Sequence, residues 1–194
     1  RKLKKSHDGP YLLDYISYDE NLLSSLVCMS TPTFYVSNGS VKSKSDKSRK
    51  PHIERGILCG IVGARNAKEG VMENRFVCPK NAKFSSQVHK SDEFWIKCVY
   101  PEAFPEGKIP TKQEIQANPR LYRDIYEDDV NVIYFEKRLM FSIVPYIREA
   151  MMRGIEVRRD IFCAVPAIGA GVWRGKIKAD LVIKLIIRGV LKFL

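Results

Sequence analysis

At 194 residues, with 45% hydrophobic and 10% aromatic side chains, the chain is long enough for one domain with a proper core and too short for two full ones. No apolar run reaches the roughly 18–20 residues of a membrane span, and the leading Arg1-Lys2-Leu3-Lys4-Lys5 gives way to polar sequence, so a soluble domain without membrane contact is expected. The 33 Lys and Arg against 22 Asp and Glu, a net +11, favour polyanions, nucleotides or an acidic protein as partners without choosing among them.

Cys28, Cys59, Cys78, Cys98 and Cys163 are odd in number and lack CxxC pairing, and several sit in apolar runs. They read as reduced, mostly buried thiols in an intracellular, reducing compartment. With only His7, His52 and His89 present, all in polar or basic stretches, neither a metal site nor a nucleophilic triad is expected. The Gly-x-x-x-x-Gly-Lys-Ser/Thr pattern of a P-loop is absent.

In chain order, residues 1–10 are a basic lead-in, and residues 19–29 fit a helix with Leu22, Leu23, Leu26 and Val27 on one side. Residues 33–36 fit a strand, closed by the turn cluster Ser37-Asn38-Gly39-Ser40. Residues 42–50 have no apolar face and are expected to form a mobile, solvated basic loop. The run at 57–62 reads as a strand buried on both faces of a sheet. Residues 93–100 read as another strand, the proline-rich 101–110 as a loop, and 130–135 as a further strand behind the charges of Glu127, Asp128 and Asp129. Those aspartates read as solvated, with proton transfer as the alternative.

Pro145 places the next helix start near Ser142, with Ile147, Ala150 and Met151 inward and Gly154 at its end. Residues 160–165 read as a strand, a glycine loop follows, and 177–194 is a long helix with Leu181, Leu185, Ile186 and Val190 along one face. Strand, helix, strand, loop and helix in that order is the signature of a parallel sheet in an α/β domain. A buried strand running through Gly169 and Gly171 toward a helix puts backbone N–H groups where anions bind, although the bare spacing equally suits a tight turn.

Phe162-Cys163-Ala164-Val165-Pro166-Ala167-Ile168-Gly169-Ala170-Gly171-Val172-Trp173 resembles the second ligand loop of macro domains, which bind ADP-ribose. The resemblance implies a three-layer α/β fold, a mixed sheet with helices on both faces. It implies that Gly169, Ala170, Gly171 and Val172 wrap the diphosphate while Trp173 sits against the distal ribose. Ile61-Val62-Gly63-Ala64-Arg65-Asn66-Ala67-Lys68-Glu69-Gly70-Val71 is similar to the family's first loop, with Asn66, Gly70 and Val71 as ligand contacts and one glycine where the family has several.

The continuation Val71-Met72-Glu73-Asn74-Arg75-Phe76 is similar to the Gln-Glu-Glu-Ile-Arg-Phe signature of poly(ADP-ribose) glycohydrolases, matched at Glu73, Arg75 and Phe76. By that resemblance Glu73 is the catalytic acid. The chain therefore divides into a divergent part at 1–52 and a macro-like core at 53–194. The function it implies is binding of ADP-ribose and hydrolysis of ADP-ribose from modified protein or polymer, with no cofactor. A non-catalytic ADP-ribose reader is the alternative, and a basic nucleic-acid-binding domain is disfavoured because aromatic and basic residues are not interleaved. The lysine-rich loop and the divergent first part also suggest a bacterial effector acting in a host cytosol.

Overall fold

The computed structural model describes residues 3–6, 9–12, 27–30, 56–79, 90–165 and 167–194. The expected strand at 33–36, the basic loop at 42–50 and the first part of the 19–29 helix lie outside them.

Among the described residues the strands pair in three short antiparallel ladders, where a parallel sheet was expected. β1 (Leu3–Ser6) pairs with β2 (Gly9–Leu12), within the stretch read as a polar lead-in. β3 (Val27–Met29) pairs with β4 (Cys59–Ile61) in the register Val27 to Ile61 and Met29 to Cys59. The end of the expected 19–29 helix is thus a strand, because the ladder offered by β4 outweighs local helical spacing. β4 itself is half-buried between exposed Leu58 and Val62, so the two-sided burial expected of 57–62 is not observed.

Past β4 the chain is mostly helical. α1 (Asn74–Val77) is one short turn, followed by α2 (Lys90–Phe94), which continues as a π-helical turn at Trp95–Val99 and a 3₁₀ turn at Pro101–Ala103. Residues 93–100 are therefore helical, not the expected strand. Trp95, Ile96 and Tyr100 are buried and Val99 packs on the core, a spacing that fits helical turns and not alternation. Past that turn, residues 104–110 are irregular, as expected of the proline-rich segment. α3 (Lys112–Ala117) opens with a capping box between Thr111 and Glu114, and α4 (Pro119–Tyr122) follows.

β5 (Tyr126–Glu127) and β6 (Val130–Asn131) form a hairpin whose two loop residues, Asp128 and Asp129, both have positive φ, 50° and 61°. The expected strand at 130–135 ends after two residues. Asn131 caps a helix there, its side chain accepting the Tyr134 N–H at 3.0 Å, and Val132, Phe135, Leu139 and Ile143 then fall on one buried face.

That helix, α5 (Val132–Val157), begins ten residues before the start expected from Pro145 and runs three past Gly154. The N–H that Pro145 lacks would have met the carbonyl of Phe141, an exposed residue, so the lost bond falls on the solvent side. Ile147 and Ala150 point inward as expected, whereas Met151 is exposed. Residues 160–165 form no ladder among the described residues, and Phe162 stands 89% exposed, contrary to the expected strand. α6 (Ala179–Phe193) matches the expected last helix, with Leu181, Leu185 and Ile186 buried and Val190 packed on the core.

α5 and α6 pack together and carry the core. At one end the core is aromatic. Tyr134 stacks on Phe76 with ring centroids 5.4 Å apart and meets Tyr100 edge-on at 4.8 Å, and Trp95 stacks on Tyr100 at 5.6 Å. This cluster backs α1 and the loop before it, which fixes where the candidate site lies. No helix is long and apolar enough to cross a membrane among the described residues.

Candidate functional site

The two loops singled out in the sequence meet. The backbone N–H of Asn66 donates to the carbonyl of Trp173 at 2.6 Å. Gly63 lies against Ile168 so closely that a Cβ there would fall 1.9 Å from the Ile168 Cγ2 and 3.4 Å from the Gly169 nitrogen. Only a residue without a side chain fits that approach. Across the outer edge, Lys176 pairs with Glu69 at 3.3 Å.

The first loop is closed by a residue that spacing alone did not single out. Asn74, at the start of α1, accepts the Gly70 N–H on Oδ1 at 2.7 Å and donates from Nδ2 to the Asn66 carbonyl at 3.3 Å. These bonds reach back four and eight residues, outside the local turn patterns that a sequence shows. Val71 is half-buried, and Met72 takes a positive φ of 50°. The Asn66 side chain is buried, and neither Oδ1 nor Nδ2 has a hydrogen-bond partner among the described residues.

In the second loop Gly169 takes φ +75°, which an L side chain rarely adopts. Ala170 donates its N–H to Ala167 at 3.1 Å. A 3₁₀ turn, Val172–Arg174, follows Gly171 directly. The long helix expected to start behind the glycines begins only at Ala179, so the helical end nearest Gly171 is that of the short turn. A Cβ on Gly171 would meet nothing within 4 Å, and Val172 and Trp173 are exposed. No backbone acceptor pairs the N–H groups of Gly169 and Gly171 among the described residues.

Glu73 lies beneath this junction and is fully buried. Its Oε1 accepts from Arg138 Nη2 at 3.3 Å, and its Oε2 is 3.4 Å from Arg65 Nε. Arg138 side-chain exposure is 2%, while Arg65 keeps 15%, so Arg65 covers Glu73 on the solvent side. Two guanidiniums thus converge on the one buried carboxylate. Arg75, which matches the glycohydrolase signature, turns instead to Asp92 at 2.7 Å, and Phe76 belongs to the aromatic core. No sequence signal pointed to Arg138, because it pairs with Glu73 across 65 positions.

Burial pushes the Cys78 thiol, beside Asn74, up to about 11, which favours the protonated form at neutral pH. Burial likewise raises the Tyr134 hydroxyl well above its ordinary range. Cys59, Cys78 and Cys163 are partly buried and Cys98 is exposed. Asp128 pairs with Lys178 at 2.8 Å and Asp129 with Lys112, so these charges are partnered as well as exposed.

A family model for MavL-like ADP-ribosylhydrolases matches residues 4–184. The chain is also similar to an ADP-ribosylarginine hydrolase of Drosophila melanogaster, 25% identical over 190 residues that cover 84% of this chain and 35% of that protein. It thus spans about a third of the length of this curated relative. No solved structure matches. Because the family model covers nearly the whole length, both loops included, the chain belongs to the MavL-like ADP-ribosylhydrolase family.

Proposed function

We propose that the chain binds an ADP-ribosyl group where the 66–71 loop meets the 169–173 loop, and hydrolyses it from arginine side chains of modified protein. The observation that carries this reading is the Asn66 to Trp173 bond, which joins the two loops picked out in the sequence by their likeness to a ligand site. Support also comes from the N–H groups of Gly169 and Gly171, which suit a diphosphate, and from the buried Asn66 amide, which suits a ribose hydroxyl. The family is one of ADP-ribosylhydrolases, and arginine as the linked residue follows the name of the Drosophila relative. The macro-type layering belongs to the same reading, supported by the order of first loop, α5, second loop and α6.

In this reading water adds to the anomeric carbon of the ribose and the guanidine departs with a proton, through an oxocarbenium-like state that a nearby carboxylate stabilises. Glu73 is that carboxylate. Arg65 must swing aside for it to touch the substrate, since Arg65 is the partner on the solvent side.

Calorimetry with free ADP-ribose at modest salt should give 1:1 binding, with ADP weaker. Incubation with ADP-ribosylated arginine, serine and glutamate peptides should release ADP-ribose from the arginine linkage. No heat at millimolar ligand would overturn the binding site, and release from another linkage alone would overturn the arginine assignment. The full burial of Glu73 favours a second reading, a non-catalytic reader of ADP-ribose. Binding with no release from any linkage would establish it.

A further inference from the structure

We propose that Arg138, Ser142 and Tyr146 form a polar stripe that sets the two ligand loops in register, and that Arg138 is a positioning residue for the ADP-ribose site acting through Glu73. The second half of this proposal rests on the functional reading above, and the first half does not.

The three residues stand at i, i+4 and i+8 on α5, so they share one face of the helix. All three are buried, on a face otherwise lined with apolar side chains. Each bonds a different part of the site. Arg138 holds Glu73, at the end of the first loop, at 3.3 Å. The Ser142 hydroxyl donates to the Val62 carbonyl, at the entry to that loop, at 2.5 Å. The Tyr146 hydroxyl donates to the Ala164 carbonyl, at the approach to the second loop, at 3.3 Å. Leu139, next to Arg138, backs the second loop directly, 3.6 Å from where a Cβ on Gly169 would lie.

Stability alone does not account for this arrangement. A buried ion pair is commonly no more stable than apolar side chains of the same volume. Here the Arg138 Nε and Nη1 also lack hydrogen-bond partners among the described residues. What the pair supplies and an apolar contact would not is direction, because a guanidinium bond fixes where the carboxylate points. α5 is 26 residues long, capped by Asn131 and packed on α6, whereas both loops have little regular structure of their own. The helix is therefore the stiff element from which the loops take their spacing.

The test compares Arg138→Met, Arg138→Lys, Ser142→Ala and Tyr146→Phe with the parent, by amide hydrogen exchange and by titration with free ADP-ribose. In Arg138→Met the amides of Asn66 and Gly70 should exchange at least ~10-fold faster while those of Leu185 and Ile186 in α6 keep their rates. Arg138→Lys, which keeps the charge, should fall between, and ADP-ribose affinity should weaken in the same order. Should Arg138→Met fail to fold, the hydroxyl deletions decide. Faster exchange in the first loop for Ser142→Ala, and at Ala170 for Tyr146→Phe, supports the stripe. Unchanged loop exchange in folded variants, or protection lost equally across α6, overturns it. A parent that binds no ADP-ribose removes the functional reading, and the exchange rates still decide the stripe.

Discussion

Trp173 accepts the backbone N–H of Asn66, so the first and second loops are joined peptide to peptide at two residues expected to touch the ligand. Side chains at that junction can therefore be exchanged without breaking the bond that holds it, and what breaks it is a change in how closely the two backbones lie.

Gly63→Ala makes such a change. Its new Cβ collides with the Ile168 Cγ2, and relief of an overpacked contact costs about 1–3 kcal/mol. Thermal melting should fall accordingly, and ADP-ribose affinity with it. Ile168→Ala in the same chain removes the colliding methyl, so the double variant should be more stable than the sum of the two single losses. Strict additivity would show that the two residues do not meet.

Gly171→Glu should act in the opposite sense. Its side chain enters open space and its φ is negative, at −85°, so the variant should fold, with a loss of stability small beside the loss of binding. The added negative charge would stand where the diphosphate is proposed to lie, and ADP-ribose binding should disappear. A folded variant with parental affinity places the ligand elsewhere.

Glu73→Gln separates chemistry from architecture. Removing the charge leaves Arg138 buried without a counter-ion, a loss of about 3–5 kcal/mol. Adding Arg138→Met should restore part of that stability in urea or thermal unfolding. Hydrolysis should stay at least ~100-fold below the parent in both variants, the scale of a lost catalytic carboxylate. Parental turnover in either folded variant would move attention to Asp128 and Asp129.

The capping box of α3 gives a pH dependence. Lys108 foremost, with the Thr111 N–H at 2.7 Å, holds the Glu114 carboxyl down to about 2. A depressed carboxylate stabilises the fold above its unfolded pKa of roughly 4.3, and loses that contribution as pH falls through the folded value. Glu114→Gln, which keeps the reciprocal capping bond and removes only the charge, should cost about 0.5 kcal/mol at neutral pH, the scale of a screened charge in a first helical turn. Chemical unfolding from pH 7 down to 2 should show the difference from the parent shrinking below pH 4, and a constant gap would show that the box contributes nothing through its charge.

The sequence carried the two loops, the last helix and the irregular segment at 104–110, because glycine chemistry and long amphipathic periods are local. It misled at 93–100 and 130–135, where apolar runs of four to six residues fit a strand or one buried turn of helix equally well. Asn131 was the discriminating residue, a helix cap placed just ahead of the apolar series that α5 buries. The pairings Arg138 to Glu73 and Ser142 to Val62 had no local trace. They join residues brought together only by folding, and α5 had to be seen as one continuous helix before Ser142 could be an interior position.

The Asp128-Asp129 turn gives the β5–β6 hairpin an unusual dependence on its surroundings. Tight two-residue turns with positive φ at both positions ordinarily use Asn-Gly or Asp-Gly, which adopt that geometry cheaply. Here two aspartates hold it, each tied to a lysine from another element, Lys178 ahead of α6 and Lys112 at the start of α3, with Glu127 reaching Lys184 in α6. Aspartate tolerates positive φ better than most residues, and these exposed ion pairs add a modest contribution of charge to the turn. Its grip should slacken as ionic strength rises and the Debye length contracts from about 10 Å at 0.1 M to about 3 Å at 1 M. Salt then becomes a dial on one corner of the molecule, loosening the hairpin while the apolar contact of α5 with α6 tightens or holds.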